Sequence, residues 1–243
     1  MSAKDVSSRR RSRDVTKPSV KTKMKRNKPA MFLSIFIVLM LVLSGVYVIF
    51  SGFSNNDSVT SYEDDPEYIS ALAGTDYPVA VLETSKGAIA VELYNDNDQA
   101  PLTCQNFINL VKDGFYDGMI FHRVMDGFMI QAGSTMPDGT TKTSPYGNIA
   151  QFEGSLTHED GAISMASTGA GTPGEAQFFI MDGARVGPEY GMDGSYAAFG
   201  KTIYGIEVVR DIADEPEDGS YGDVGGGRPY DDIIIQKIYM AKQ

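Results

Sequence analysis

The stretch "FHRVMDGFMIQAG", residues 121–133, places one guanidinium, Arg123, among Phe121, Phe128, Met129 and Ile130, with the Gln131 amide close behind. A lone cation facing apolar side chains has neither a nucleophile with its base nor a set of metal ligands beside it. The chain holds two histidines. His122 is adjacent to Arg123 on a predicted strand, so the two side chains point to opposite faces and His122 reads as structural. His158 lies in the turn-like "LTHEDG" and reads the same way. Neither has ligand spacing to another His or Cys, which excludes a zinc site. The acidic "DEPEDGSYGD" lacks the alternating oxygen ligands of a calcium loop, and the glycines of "GDVGGGRP" and "STGAGTPGEA" match no phosphate-binding template, so these segments read as loops. No cofactor is expected.

The elements that must position Arg123 are legible around it. "VAVLETSKGAIAVELY" alternates on both sides of "TSKG", the pattern of a β-hairpin. In "APLTCQNFINLVKDG", Cys104, Phe107, Leu110 and Val111 recur at helical spacing, with Pro101 suited to the first turn and Gly114 to the stop. Short apolar runs follow, "MIFHRV", "FMIQAG", "GAISMAS", "QFFIM" and "YAAFGK", separated by glycine-rich turns. A second helix fits "YGIEVVRDIA", and "DDIIIQKIYM" closes the chain as a strand. Many short strands with two helices predict an all-β, antiparallel sandwich or barrel.

Charge divides the chain. Of 21 Lys/Arg and 32 Asp/Glu, residues 1–29 carry 11 and 2, leaving 10 and 30 for the remainder. Residues 29–56 hold no charged side chain, and a bilayer span needs roughly 20 apolar residues. This length exceeds the apolar region of a secretory signal, about 7–15 residues. The expected organisation is a basic cytoplasmic tail at 1–29, a transmembrane anchor at 30–53, an acidic linker at 54–78 and a folded domain at 79–243. Lys and Arg gather on the cytoplasmic side of a span, which sends the acidic domain outside the cell. The same argument makes the basic tail a topology signal rather than a nucleic-acid arm, so no nucleic-acid partner is expected. One cysteine, Cys104, permits no internal disulfide.

Three blocks, "FHRVMDGFMIQAG", "GAISMASTGAGTPGEAQFFIM" and "YAAFGKTIYGIEVV", resemble in order and spacing the signature blocks of the cyclophilins, the peptidyl-prolyl cis-trans isomerases. The resemblance covers roughly residues 79–243 and implies a closed eight-stranded antiparallel β-barrel capped by two helices, here preceded by one transmembrane helix, as in a membrane-anchored bacterial form. It implies that Arg123 is the catalytic arginine and that Phe128, Met129 and Phe179 wall a proline pocket; taken alone, the same three read as barrel core. It further implies that Gln131 holds the arginine and the substrate backbone. Ala166 and Ser167 would meet the residue before proline, Gln177 would lie along the groove, and Met192 and Tyr196 would stand at the pocket rim. Proline-containing chains outside the cytoplasm are the expected substrates. A proline-peptide-binding holdase is the alternative; it needs the pocket but not Arg123. Departures from the family are Ala132, Ser134, Ser167 and Tyr196, together with the absence of any tryptophan. That tryptophan contributes to cyclosporin binding in the family, so weak cyclosporin binding is expected.

Overall fold

The computed structural model describes residues 61–96, 99–222 and 225–243. The tail at 1–29 and the span expected at 30–53 lie outside these residues. Among the described residues, no helix is long and apolar enough to cross a membrane.

The predicted hairpin is formed by β1 (Val79–Thr84) and β2 (Gly87–Leu93), paired antiparallel from Val79↔Glu92 to Thr84↔Gly87. The Thr84 hydroxyl pins the turn, donating to the Gly87 carbonyl at 2.8 Å and accepting from the Lys86 and Gly87 amides. Six further strands follow: β3 (Arg123–Met125), β4 (Met129–Ala132), β5 (Ala162–Met165), β6 (Phe178–Met181), β7 (Ala197–Tyr204) and β8 (Ile235–Lys242). They form one antiparallel sheet in the order β3-β4-β6-β5-β7-β2-β1-β8.

Strand alternation sends one row of side chains inward. Leu82, Ile89, Val91, Ile130, Ile163, Phe178, Ile180 and Phe199 are fully buried in a common core. Helix α2 (Pro101–Lys112) closes on it through Cys104, Phe107, Leu110 and Val111, the four positions its spacing singled out. The Phe107 ring lies 5.3–5.5 Å, centre to centre, from those of Tyr116, Phe178 and Phe199, within the range of favourable aromatic pairs. Ala100 offers no side-chain cap to this helix. Glu153 supplies it from a distant loop, accepting from the Leu102 and Thr103 amides and the Thr103 hydroxyl, where a carboxylate also complements the helix dipole. Helix α3 (Ile206–Ala213) follows Gly205, whose φ of 79° and close approach to the Ala88 carbonyl leave no room for a Cβ.

Two expectations require correction. The eight strands curl but do not close into a barrel. Among the described residues, no ladder joins the edge strands β3 and β8; isolated bridges at Ile120↔Ile234 and Val124↔Gly227 lie along the gap. The three-residue β3 spends its short ladder on β4, and the chain that comes alongside its other edge carries three glycines and Pro229, which has no N–H to give.

The described chain holds three α-helices rather than two, because the stretch expected to be linker is folded from residue 61. A 3-10 turn at Tyr62–Asp64 leads into α1 (Pro66–Gly74), capped by Asp65, which accepts from the Glu67 amide at 2.9 Å. Nine residues do not sustain a helix alone. Packing sustains this one: Tyr68 is buried, its ring edge-on to those of Tyr62 and Tyr204, and Tyr62 donates to Glu83 at 2.6 Å.

Candidate functional site

Register builds the site. Arg123 on β3 pairs with Gln131 on β4, and Gln131 pairs with Phe179 on β6. Their neighbours Val124, Ile130, Phe178 and Ile180 fill the core, so this row and Met129 project from the outer face of the sheet. Phe128, from the β3–β4 turn, and Ala166, beyond β5, stand beside them.

These side chains enclose a slot of about 170 Å³. Arg123, Met129, Gln131 and Phe179 line it from the strands, and Phe128, Ala166, Ser167, Met192 and Tyr196 line it from the turns and loops. All nine were singled out from the sequence. The tenth, Gln177, lies in an adjoining hollow of about 350 Å³ that shares Gln131, Ala166 and Ser167 with the slot. The Gln131 amide donates to Gln177 at 3.0 Å, tying the two spaces together.

The guanidinium of Arg123 is fixed from behind. Nε and Nη2 both donate to the Gly225 carbonyl, at 3.1 and 2.8 Å, and the guanidinium carbon lies 4.9 Å from the centre of the Tyr221 ring. A planar cation held through two donors and a ring face keeps its orientation when an apolar ligand displaces water in front of it.

Phe179 is backed by His158. The imidazole is stacked on it at 5.9 Å with 13° between planes, while Tyr196 meets the Phe179 ring edge-on at 5.7 Å. Both His158 nitrogens are engaged, Nδ1 with Asp193 at 2.9 Å and Nε2 with the Ser164 hydroxyl at 3.0 Å. Asp193 also accepts from the His158 and Gly187 amides, and it follows Met192 directly, so this pair holds the rim of the slot to its wall. Burial holds the His158 pKa below its usual value, with Asp193 pulling the other way. His122 points away from the slot and is buried, with Nδ1 lacking a partner among the described residues. Burial and then the neighbouring Arg123 charge bring its pKa down to about 4.

Four contributors escaped the sequence. Tyr221 and Gly225 belong to loops read as solvated turns, about 100 residues from Arg123 in sequence, and no local pattern marks them. His158 was read as structural, and its stacking beneath Phe179 was not anticipated; nor was the part of Asp193.

An apolar slot sized for a small ring, with a fixed donor at its edge and a polar groove running away from it, is the arrangement of a protein that takes an extended peptide by one apolar side chain. Residues 79–240 match the family model of the cyclophilin type peptidyl-prolyl cis-trans isomerase/CLD. The chain belongs to this family of isomerases. Its similarities reach across kingdoms. It is 38% identical over 170 residues to the human peptidyl-prolyl cis-trans isomerase-like 1, covering 68% of this chain and 93% of that one. To peptidyl-prolyl cis-trans isomerase A of Dickeya dadantii it is 36% identical over 176 residues, covering 71% and 90%. Among solved structures, a Cryptosporidium parvum cyclophilin type peptidyl-prolyl cis-trans isomerase superposes with a TM-score of 0.54 at 28% identity, over 69% of this chain and 99% of that one. A second structure of that protein, determined in the presence of the dipeptide Ala-Pro, gives a TM-score of 0.52 at 28% identity, over 68% and 99%.

Proposed function

We propose that the slot receives the proline ring of an extended chain and that Arg123 accelerates rotation about the preceding peptide bond. The observation that carries this reading is the row Arg123–Gln131–Phe179, in which strand register sets one charged donor and one amide beside an apolar wall. Rotation about X-Pro is slow because amide resonance must be broken, at a cost of about 18–20 kcal/mol. In the twisted state the proline nitrogen regains its lone pair. A guanidinium aimed at that nitrogen stabilises the twisted form more than either planar form, and this difference is the catalysis. Nothing is covalently made or broken, so neither nucleophile nor metal is required. Gln131, linked to Gln177, holds the substrate backbone, and Ala166 and Ser167 meet the residue before proline.

The substrates are newly exported or unfolded proteins outside the cytoplasm of a bacterium, with the domain held at the membrane through residues 30–53. Support comes from the charge division, with 11 Lys/Arg ahead of the uncharged stretch and 30 Asp/Glu behind it. Protease added to intact cells should release the domain; cleavage only after lysis would overturn this setting.

The mechanism is tested by measuring exchange between cis and trans peptide, together with peptide affinity, on the same samples of the full chain. A charge-assisted hydrogen bond contributes about 1.5–3 kcal/mol, so Arg123→Ala should slow isomerisation roughly 10- to 100-fold. Affinity should change much less. An Arg123→Ala chain that isomerises at the wild-type rate would remove the mechanism.

A further inference from the structure

Among the described residues, Arg210 pairs with Asp160 at 2.9 Å and Arg228 with Asp232 at 2.7 Å. Arg185 has no ion pair among the described residues, in a region where acidic side chains outnumber basic ones three to one. It is held instead between two aromatic rings, its guanidinium carbon 5.6 Å from the centre of Phe128 and 5.5 Å from that of Tyr190. Nη1 donates to the Ala184 carbonyl at 3.0 Å and Nη2 donates to that of Gly127. The Asp182 carboxylate nearby is already engaged, accepting from the Gly127 amide at 2.8 Å and lying 3.9 Å from Arg210.

Phe128 lines the slot, whereas Arg185 and Tyr190 do not, so the Arg185–Tyr190 stack extends the slot outward past Phe128. Tyr190 and Val186 are half exposed there, offering apolar surface around the cation. A guanidinium carries five donors, and only two of those of Arg185 are bound to carbonyls. The remaining donors suit a carboxylate, and the ring faces suit its methylene stem.

This inference rests on the proposed function, in which Ala166 and Ser167 meet the residue before proline. On that reading the chain after proline leaves the slot past Phe128, over whose ring the Arg185 guanidinium lies. We infer that Arg185 is a specificity-determining residue that favours peptides with Asp or Glu within two residues after the proline. The domain selects among proline sites by the charge that follows them. Fixing the guanidinium between rings in the free protein spares the side-chain ordering that weakens ordinary surface ion pairs.

The test uses the full chain and three labelled peptides that are identical except for Glu, Gln or Lys at the second position after proline. Exposed charge pairs correspond to about a two- to five-fold preference. Wild-type kcat/KM should favour Glu over Lys by that factor, Arg185→Gln should equalise them, and Arg185→Glu should invert the order. The rate on the Gln peptide serves as the reference for each protein, and added salt should compress the wild-type preference. An unchanged Glu-to-Lys ratio across the three proteins overturns the inference. Should the Gln peptide not be isomerised by the wild type, the enzymatic reading of the slot fails instead. Dissociation constants of the same peptides, from fluorescence anisotropy, then decide the charge preference on their own.

Discussion

The outer face of the sheet carries two apolar patches that meet opposite fates. Toward one end of the strand order, Val79, Val81, Ala88 and Ala90 of β1 and β2 are roofed by Tyr68 and Leu72 of α1, with Tyr62, Tyr204 and Tyr239 closing the sides. Toward the other, Met129, Phe179 and Met181 of β4 and β6 gather Phe128, Ala166, Met192 and Tyr196 around them, yet a hollow of about 170 Å³ remains. Both arise from one rule, the outward half of a strand alternation that also feeds the core. The covered patch uses small strand residues under a helix and hands its tyrosine hydroxyls to carboxylates, as in Tyr62 to Glu83 and Tyr204 to Asp65. The uncovered patch is built from large, polarisable side chains that wall a space without filling it, with Arg123 fixed at its edge. An apolar outer face is thus the common starting point. What distinguishes the site, among the described residues, is the absence of a roof and the presence of a held cation.

This contrast can be broken from either side. The largest effect should come from the roof: Tyr68→Ala removes a buried ring and should lower stability by about 3 kcal/mol in urea unfolding, with peptide affinity unchanged. Phe128→Ala should do the reverse. The ring is only half buried in the free protein, so stability should fall little, whereas loss of its surface from the slot should weaken proline-peptide binding by about 1–2 kcal/mol, roughly ten-fold. If Phe128→Ala unfolds the domain while leaving affinity intact, the slot is ordinary core and the contrast is false.

A smaller effect lies behind the open patch. His122 titrates near 4 in the folded chain and near 6.5 when unfolded, so the unfolded state takes up the proton first. Its contribution to stability is complete above pH 6.5 and is lost as pH falls toward 4. The loss should reach about 1 kcal/mol by pH 6. Thermal unfolding of wild type and His122→Gln across this range should show the slope only in the wild type.

Much of this was legible in the sequence, and the gaps share a cause. Cys104, Phe107, Leu110 and Val111 revealed α2 because helical period is local, and Val79–Leu93 revealed its hairpin for the same reason. The slot was legible only because three separated blocks resemble a family. Nothing in the spacing says that β4 pairs with β6 rather than with β5, the pairing that sets Gln131 beside Phe179. Helix α1 was missed although Asp65-Pro66 is a fitting start and Tyr68 and Leu72 stand four apart. Its stability lies in distant tyrosines rather than in its own nine residues. Tyr221 and Gly225 reach Arg123 across a similar sequence distance, and the open edge between β3 and β8 depends on how far a three-residue strand extends its ladder.

Cys104 sits in the first turn of α2, fully buried, with its thiol donating to the Phe199 carbonyl at 3.3 Å. Burial, and then the Glu153 charge, raise its pKa, so the reactive thiolate is scarce in the folded state. As the chain's only cysteine, it cannot form an internal crosslink that a reductant would cut. The fold is therefore indifferent to the redox poise of its surroundings, and alkylation of this one sulfur times the opening of the core rather than the chemistry of the surface.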